Sequence, residues 1–404
     1  MDVDGRMTWA GGAILCLNAG SSSLKFAVYG RTPDSQGDMT RLAAGAVERI
    51  GLSQGRLRVS SDGGSGTETA GEYKDHASAL QAVLDLLERR RLPALDAVGH
   101  RLVHGGPDHT APARLDADLM KSLRELSPLA PLHLPGELAV IEAVSARFPV
   151  LPQVVCFDTA FHHRMPEEAR RLPLPRALWD AGIRRYGFHG LSYEYIVWRL
   201  GPAARGRSII AHLGNGASMA AVRDGLPVDT TMGLTPTGGF MMGTRSGDLD
   251  PGVLLYLLRE KGYDGDRLDR LVNDEAGLLG VSGLSPDMKT LLERREREPA
   301  AAQAVAMFCY QVRKQVGALA AALGGLDTLV FTGGIGERAA PVRWEACQGL
   351  DHLGLRLDAE RNAAHADTVS RTDSRCIVRV IPTDEDLMIV RHVREVLAPS
   401  RAPA

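Results

Sequence analysis

The sequence predicts an α/β protein with a duplicated plan, and three observations carry that prediction. Residues 14–30, ILCLNAGSSSLKFAVYG, have a weaker echo at 209–225, IIAHLGNGASMAAVRDG. Each is an apolar run, a turn of small residues and a second run of apolar and small residues, the pattern of a β-hairpin. In that alignment Ser23 meets Ser218 and Gly30 meets Gly225. Second, strand-like and helix-like segments alternate over most of the chain, which argues for α/β layers. Third, 404 residues are enough for two or three domains with their own cores. A turn of Gly, Asn and Ser can present N–H and hydroxyl groups to a phosphate. Two ordinary tight hairpins are the plainer alternative.

The elements follow from periodicity. Apolar runs at 13–19, 23–29, 97–103, 153–157, 208–213, 217–223, 327–332 and 376–382 predict strands. Apolar spacing of three and four predicts helices at 75–90, 116–127, 135–147, 192–200, 251–261, 299–323, 339–352 and 385–397. Residues 60–71, SSDGGSGTETAG, predict a polar surface loop, and 293–299, ERREREP, a solvated charge run ending at Pro299. Ser285-Pro286 predicts an N-cap followed by proline at the first helical position. Thr383 with Asp386 predicts a capping box.

Composition narrows the class. A hydrophobic fraction of 44% and a charged fraction of 24% are those of an ordinary soluble protein. A net charge of −2 gives no argument for nucleic acid or an acidic membrane as partner. No apolar stretch reaches the length of a membrane span, and MDVDGRMTWAGG lacks a basic n-region, so a secretory signal is not expected. Five scattered cysteines without a CxxC pair predict neither a disulfide framework nor a zinc site, and point to a reducing cytoplasm.

The chemistry must lie outside the common nucleotide motifs, since neither G-x-x-x-x-G-K-[ST] nor G-x-G-x-x-G occurs. Three glycine turns remain as phosphate-facing candidates: Asn18–Lys25, His212–Gly216 (HLGNG) and Gly333–Glu337 (GGIGE), the last between a strand and a helix. Arg101 in GHRLVHGG, Arg245 in MMGTRSGDLDPG and His189 in RRYGFHG are polar groups embedded in glycine and small residues. Two guanidiniums and an imidazole could neutralise a transferring phosphoryl group. Asp158 ends the apolar run QVVCF, where an acid can reach a crevice. Glu385 lies at a strand end and helix start, with helix capping as its plainer role, and His162 with His163 reads as loop or partly buried histidine.

Together NAGSSSLKF, GHRLVHGG, FDTAFH, YGFHG, AHLGNG, MGTRSGDLDPG, GGIGE and the IPT-x-E-x-LMI pattern resemble the acetate kinase (acetokinase) family, which includes propionate and butyrate kinases. The motifs occur in the family's order and cover roughly residues 13–397. The resemblance implies the actin, sugar-kinase and heat-shock ATPase architecture, with two ribonuclease H-like domains and an active site in the cleft between them. Domain I would comprise residues 1–159 plus 387–404; domain II, residues 160–386, would bind nucleotide and form the dimer. It implies ATP and ADP, Mg²⁺ (with Mn²⁺ able to substitute), acetate and acetyl phosphate, a homodimer, and neither nucleic acid nor membrane as partner.

Residue by residue, the resemblance implies Asn18 and Glu385 at the Mg²⁺ site, and Ser21, Ser23 and Lys25 on the phosphate-facing turn. Arg101 and Arg245 would hold the carboxylate and the phosphoryl group, His189 would stabilise the transition state, and Asp158 matches the family's catalytic acid. An ionised carboxylate is already nucleophilic, so Asp158 is expected to orient an arginine or the metal's water shell. His212, Leu213, Gly214, Asn215 and Gly216, then Asp287, Met288 and Lys289, then Gly333, Gly334, Ile335, Gly336 and Glu337, would line ATP. Val103, Leu132, His133, Phe188 and Pro236 would surround the acyl group.

The chain departs from the family pattern at four motifs, of which the first two flank that pocket. TPTGG stands where TPLEG is common, and LHLP where LHNP is common. TDED replaces TNEE, and DMK replaces DMR. The alternatives are therefore a propionate or other short-chain carboxylate kinase and, in another class, a non-catalytic actin-like ATP switch.

Overall fold

Strands β1 (Ala13–Gly20) and β2 (Ser23–Gly30) pair antiparallel from Ala13↔Gly30 to Gly20↔Ser23. Strands β9 (Arg207–Leu213) and β10 (Ala217–Arg223) do the same from Arg207↔Arg223 to Leu213↔Ala217. The two hairpins seen in the sequence are therefore both present. The computed structural model describes residues 12–20, 22–31, 39–61, 64–131 and 133–398. Contacts divide the chain into two units, Met1–Ala160 with Asp384–Ala404, and Phe161–Thr383.

The first unit adds β3 (Thr40–Glu48), β4 (Gly55–Ser61), β5 (Gly64–Gly71), β6 (Leu95–Leu102), β7 (Ala113–Arg114) and β8 (Gln153–Phe157), in the order β5-β4-β3-β2-β1-β6-β8-β7. Strands β1 to β5 form an antiparallel meander, while β1, β6 and β8 run parallel. Parallel neighbours need long crossovers, and the helices His76–Arg89 and Leu134–Arg147 supply them. Both pack on the sheet around Leu15, Leu17, Phe26, Val28, Leu80, Val83, Val140 and Val144, a common core. Each large apolar side chain there contributes about 1.5–3 kcal/mol.

The second unit adds β11 (Leu226–Thr230), β12 (Thr328–Thr332) and β13 (Ile377–Val380), in the order β11-β10-β9-β12-β13. Its central β9 again has an antiparallel hairpin on one side and two parallel strands on the other. The two units thus repeat one plan, as the echo predicts. They differ at the turn. β1 and β2 are joined through residues 21 and 22, whereas Gly214, Asn215 and Gly216 join β9 to β10. Ser23 therefore pairs with Gly20 beside its turn, while Ser218 pairs with His212 one step further along.

Several local expectations are corrected. Residues 60–71 hold no loop of that length: β4 reaches Ser61 and β5 runs from Gly64. Cross-strand ion pairs of Arg56 and Arg58 with Glu68 support the outer side of this ribbon, while Leu57 and Val59 of β4 turn into the core; β5, GSGTETAG, has no large apolar residue to announce it. The helix after β13 starts at Glu385, as its periodicity predicts, but its cap is Asp384 and not Thr383: the Asp384 carboxylate accepts from Leu387 N at 2.9 Å. The helix Met288–Arg294 is capped by Asp287, not Ser285. Pro299 opens the 25-residue helix Pro299–Leu323.

Candidate active site

In open α/β sheets, ligand groups gather at the carboxyl ends of the parallel strands. In the first unit β6 delivers Arg101 and the residue following β8 is Asp158. Register sets Asn18 between Lys25 on β2 and Arg101 on β6. Arg101 Nη1 donates to Asn18 Oδ1 at 3.0 Å, Nε to Asp158 Oδ1 at 3.2 Å and Nη2 to Asp158 Oδ2 at 2.5 Å. This fork is the bidentate geometry that suits guanidinium and carboxylate. Asp158 is 0% exposed.

Carboxylates crowd this arginine. Burial opposes the charge of Arg101, but Asp158, Glu385 and Glu137 outweigh it and hold the guanidinium ionised. Burial raises the Glu385 carboxyl above its usual range against the pull of Arg101, with Asp158 and Asp386 adding to the rise. Burial also raises Asp386, to about 6, helped by Asp384. The sequence reading missed Glu137, on the helix Leu134–Arg147. It is buried, and burial pushes it up to about 8 despite Arg101 and a backbone N–H. That N–H belongs to Val103 and donates to both Glu137 oxygens, at 3.2 and 3.0 Å. β6 ends at Leu102, one residue short of the expected strand, so Val103 lies just beyond it. An acid on the apolar stripe of LPGELAVIEAV was the available clue.

The second unit builds a different cluster. His189 takes the left-handed conformation (φ 58°, ψ 27°) at the start of the helix Gly190–Leu200, uncommon for a residue with a side chain. Its Nδ1 meets Ser218 Oγ at 2.8 Å, and Ser218 Oγ meets Tyr193 Oη at 2.5 Å. His212 Nδ1 meets Ser192 Oγ at 2.8 Å, and the two imidazoles stack with centroids 4.3 Å apart. Arg245 Nη1 donates to the Pro236 carbonyl at 3.2 Å. A Cβ on Gly216 would stand 3.4 Å from both Arg245 Nη1 and His189 Nε2, so these groups converge on that glycine.

The GGIGE segment is itself the short helix Gly333–Arg338, directly after β12. Gly333 has φ +74°, and a Cβ there would press on the Leu213 backbone. Glu337 Oε1 accepts from Gly333 N at 3.0 Å and from Thr383 N at 3.2 Å. Buried Arg343 donates to the Gly336 and Glu337 carbonyls at 2.8 and 2.9 Å, fixing the helix end.

The structure therefore groups Asn18, Lys25, Arg101, Val103, Asp158 and Glu385 in the first unit, and His189, His212, Gly216, Pro236 and Arg245 in the second. Ser23 borders its turn. Phe188 is buried, and its carbonyl accepts from His162 Nε2 at 3.0 Å. His133 donates its N–H to Ala130 O. Asp287 caps its own helix, and the Lys289 side chain, 83% exposed, stands 3.9 Å from Glu293. Ser21 and Leu132 lie outside the described residues.

The profile of the acetokinase family matches residues 13–391. The chain belongs to the acetokinase family. It is 47% identical over 390 residues to an acetate kinase of Rhodopseudomonas palustris, covering 94% of this chain and 97% of the relative. An acetate kinase of Rhizobium meliloti is 44% identical over 400 residues, covering 96% and 100%. Among solved structures, Porphyromonas gingivalis acetate kinase superposes with TM-score 0.86 at 37% identity, covering 96% of this chain and 100% of that one. A propionate kinase from Francisella tularensis gives TM-score 0.88 at 34% identity, covering 94% and 98%. Family membership assigns the chain to a kinase fold that uses ATP and a small-molecule acceptor. Among the described residues no helix is long and apolar enough to cross a membrane.

Proposed function

We propose that this chain phosphorylates acetate reversibly with ATP, giving acetyl phosphate and ADP. The observation that carries the proposal is the Arg101–Asp158 fork, an arginine held rigidly at the end of β6 in a member of the acetokinase family. An acetate oxygen attacks the γ-phosphorus, the bond to the bridging oxygen breaks, and ADP leaves with that electron pair. The acceptor is already ionised, so bringing two anions together is the main difficulty, and cationic groups address it. Arg101 orients the carboxylate, Asp158 orients Arg101, and Val103, with Leu132, His133, Phe188 and Pro236, bounds the acyl group. Arg245 and His189 neutralise the transferring phosphoryl group. Ser21, Ser23 and Lys25, the 212–216 turn, residues 287–289 and the 333–337 helix face the nucleotide.

The donors fit Mg²⁺. Glu385, Asp158 and Asp386 are hard oxygen donors whose mutual repulsion a divalent cation would relieve. Among the described residues no group of three or more His, Cys, Asp or Glu forms a ready metal cage. That agrees with the usual Mg²⁺ site, one or two protein oxygens completed by water and phosphate. Asn18 and Glu385 would hold the ion, which when bound neutralises phosphate charge.

A second copy of the chain covers the helix Pro251–Glu260, where Val253, Leu255, Tyr256 and Leu258 are each more than 40% exposed. The enzyme is a cytoplasmic homodimer whose second domain carries nucleotide and dimer contacts. Acyl-hydroxamate formation with ATP and, in turn, formate, acetate, propionate and butyrate tests the activity. Highest kcat/KM with acetate is expected; no hydroxamate with any acid would leave only an ATP switch. Light scattering tests the dimer.

A further inference from the structure

Residues 231–250 carry both Pro236 and Arg245 and contain no helix or strand. A loop of this length holds one shape only where specific ties fix it. Two of its threonines are tied to a single residue. The Thr237 hydroxyl donates to Asn273 Oδ1 at 2.5 Å, and the Thr244 hydroxyl donates to the Asn273 carbonyl at 2.7 Å. Asn273 Nδ2 donates to Asp269 Oδ1 at 2.9 Å, which turns the amide oxygen toward Thr237.

Asn273 sits in the π-helical turn Leu271–Glu275. Such a turn departs from the regular ladder and releases carbonyls to outside partners, a reason π turns collect at functional sites. Here the freed carbonyl of Val272 accepts from Ser246 N at 2.9 Å, and that of Asn273 takes the Thr244 hydroxyl. Ala276 N returns a bond to the Thr244 carbonyl at 3.0 Å. Arg245 lies between Thr244 and Ser246, and its Nη1 reaches the carbonyl of Pro236, the neighbour of Thr237. A closed ring results, running Asn273, Thr237, Pro236, Arg245, Thr244 and back to Asn273.

We propose that Asn273 is a positioning residue for the phosphoryl transfer. Through Thr237 and Thr244 it fixes where the Arg245 guanidinium and the Pro236 wall stand relative to each other. Asn273 touches no reacting atom. The proposal rests on the reading that Arg245 and Pro236 serve the acyl acceptor. It also gives a role to Thr237, one of the residues at which this chain departs from the common family pattern. The hydroxyl replaces packing with a directional tie, and the acyl wall moves with it.

The test compares Thr237→Val, Thr237→Ser, Asn273→Ala and the double variant Thr237→Val/Asn273→Ala in the full-length enzyme. Thr237→Val is nearly isosteric and keeps the fold. It should lower kcat/KM for acetate about threefold to tenfold, as expected for one lost hydrogen bond, with the KM for ATP unchanged within twofold. Thr237→Ser should restore the wild-type value. Asn273→Ala should cost more, and the double variant no more than Asn273→Ala alone, because both changes break the same bond. Melting temperatures are measured alongside. If Thr237→Val and Asn273→Ala lower the melting temperature but leave kcat/KM for acetate within twofold, the residue is merely structural and the proposal is overturned. Losses that multiply in the double variant also overturn it. A wild-type enzyme that forms no acyl phosphate overturns the kinase reading, and this proposal with it.

Discussion

The two units bring arginines to their sheet ends by opposite means. Arg101 is gripped by a fully buried carboxylate, with the buried Glu137 and the partly buried Glu385 beside it. Arg245 is aimed by a backbone carbonyl within a loop that neutral hydroxyls and an amide hold in shape. Removing one partner of a buried ion pair strands a charge, whereas removing one neutral hydrogen bond costs little. The first arrangement therefore couples the site to the stability of its unit. The second leaves the site adjustable by substitutions that the fold tolerates.

The sharpest way to break this comparison is Arg101→Ala beside Arg245→Ala. Both should lose about 10²–10³-fold or more in turnover, as expected for charge-assisted contacts to a transition state. Only Arg101→Ala should also lose stability, about 3–5 kcal/mol, because it strands Asp158. Urea unfolding of both variants decides the point, and equal stability losses would remove the distinction.

Next in size is the contrast between adjacent acids. Glu385→Ala should raise the Mg²⁺ concentration needed for half-maximal activity on the order of ten- to a hundredfold, well beyond any effect of Asp386→Ala. Glu385 is not the helix cap, since Asp384 fills that position. Matched Mg²⁺ titrations test this, and parallel curves for the two variants would show that Glu385 is not the metal's ligand.

The Glu137 carboxyl gives a pH test. Its ordinary value of 4.5 is raised in the fold to about 8. Between those values the native state keeps a proton that the unfolded chain has released, so this group makes stability fall as pH rises from about 4.5 to about 8. Glu137→Gln removes the titration while keeping an acceptor for Val103 N. The stability of the variant relative to wild type should therefore climb across that window by several kcal/mol, up to about 5, and level off above it. A difference that stays flat with pH would mean that Glu137 is ionised throughout.

The smallest effect is expected at Val103. Glu137 holds its backbone, so Val103→Ala should shorten the side chain without moving the main chain. One substrate methylene is worth about 1–3 kcal/mol in a fitting pocket. The propionate-to-acetate ratio of kcat/KM should rise several-fold; an unchanged ratio would place the limiting wall elsewhere, with Pro236 and Thr237 the next to test.

The sequence by itself determined the apolar runs and their punctuation. From these came both hairpins, the alternation of strands and helices, and an ordered set of motifs that marks the family. All are local patterns, and local patterns are what periodicity reports. Only the tertiary structure decided the rest. Strand β5, GSGTETAG, has no large apolar residue and forms by ladder pairing and cross-strand charges against β4. The helix caps fall at Asp287 and Asp384, where the backbone leaves the extended state, and not at the nearest plausible Ser or Thr. Arg101 finds Asp158 57 positions away and Asn18 83 positions away, Val103 finds Glu137 34 away, and Thr237 finds Asn273 36 away. No residue's own neighbours in the chain specify such a partner. It is set by which strands lie side by side and where a helix returns across them, and that is a property of the folded sheet.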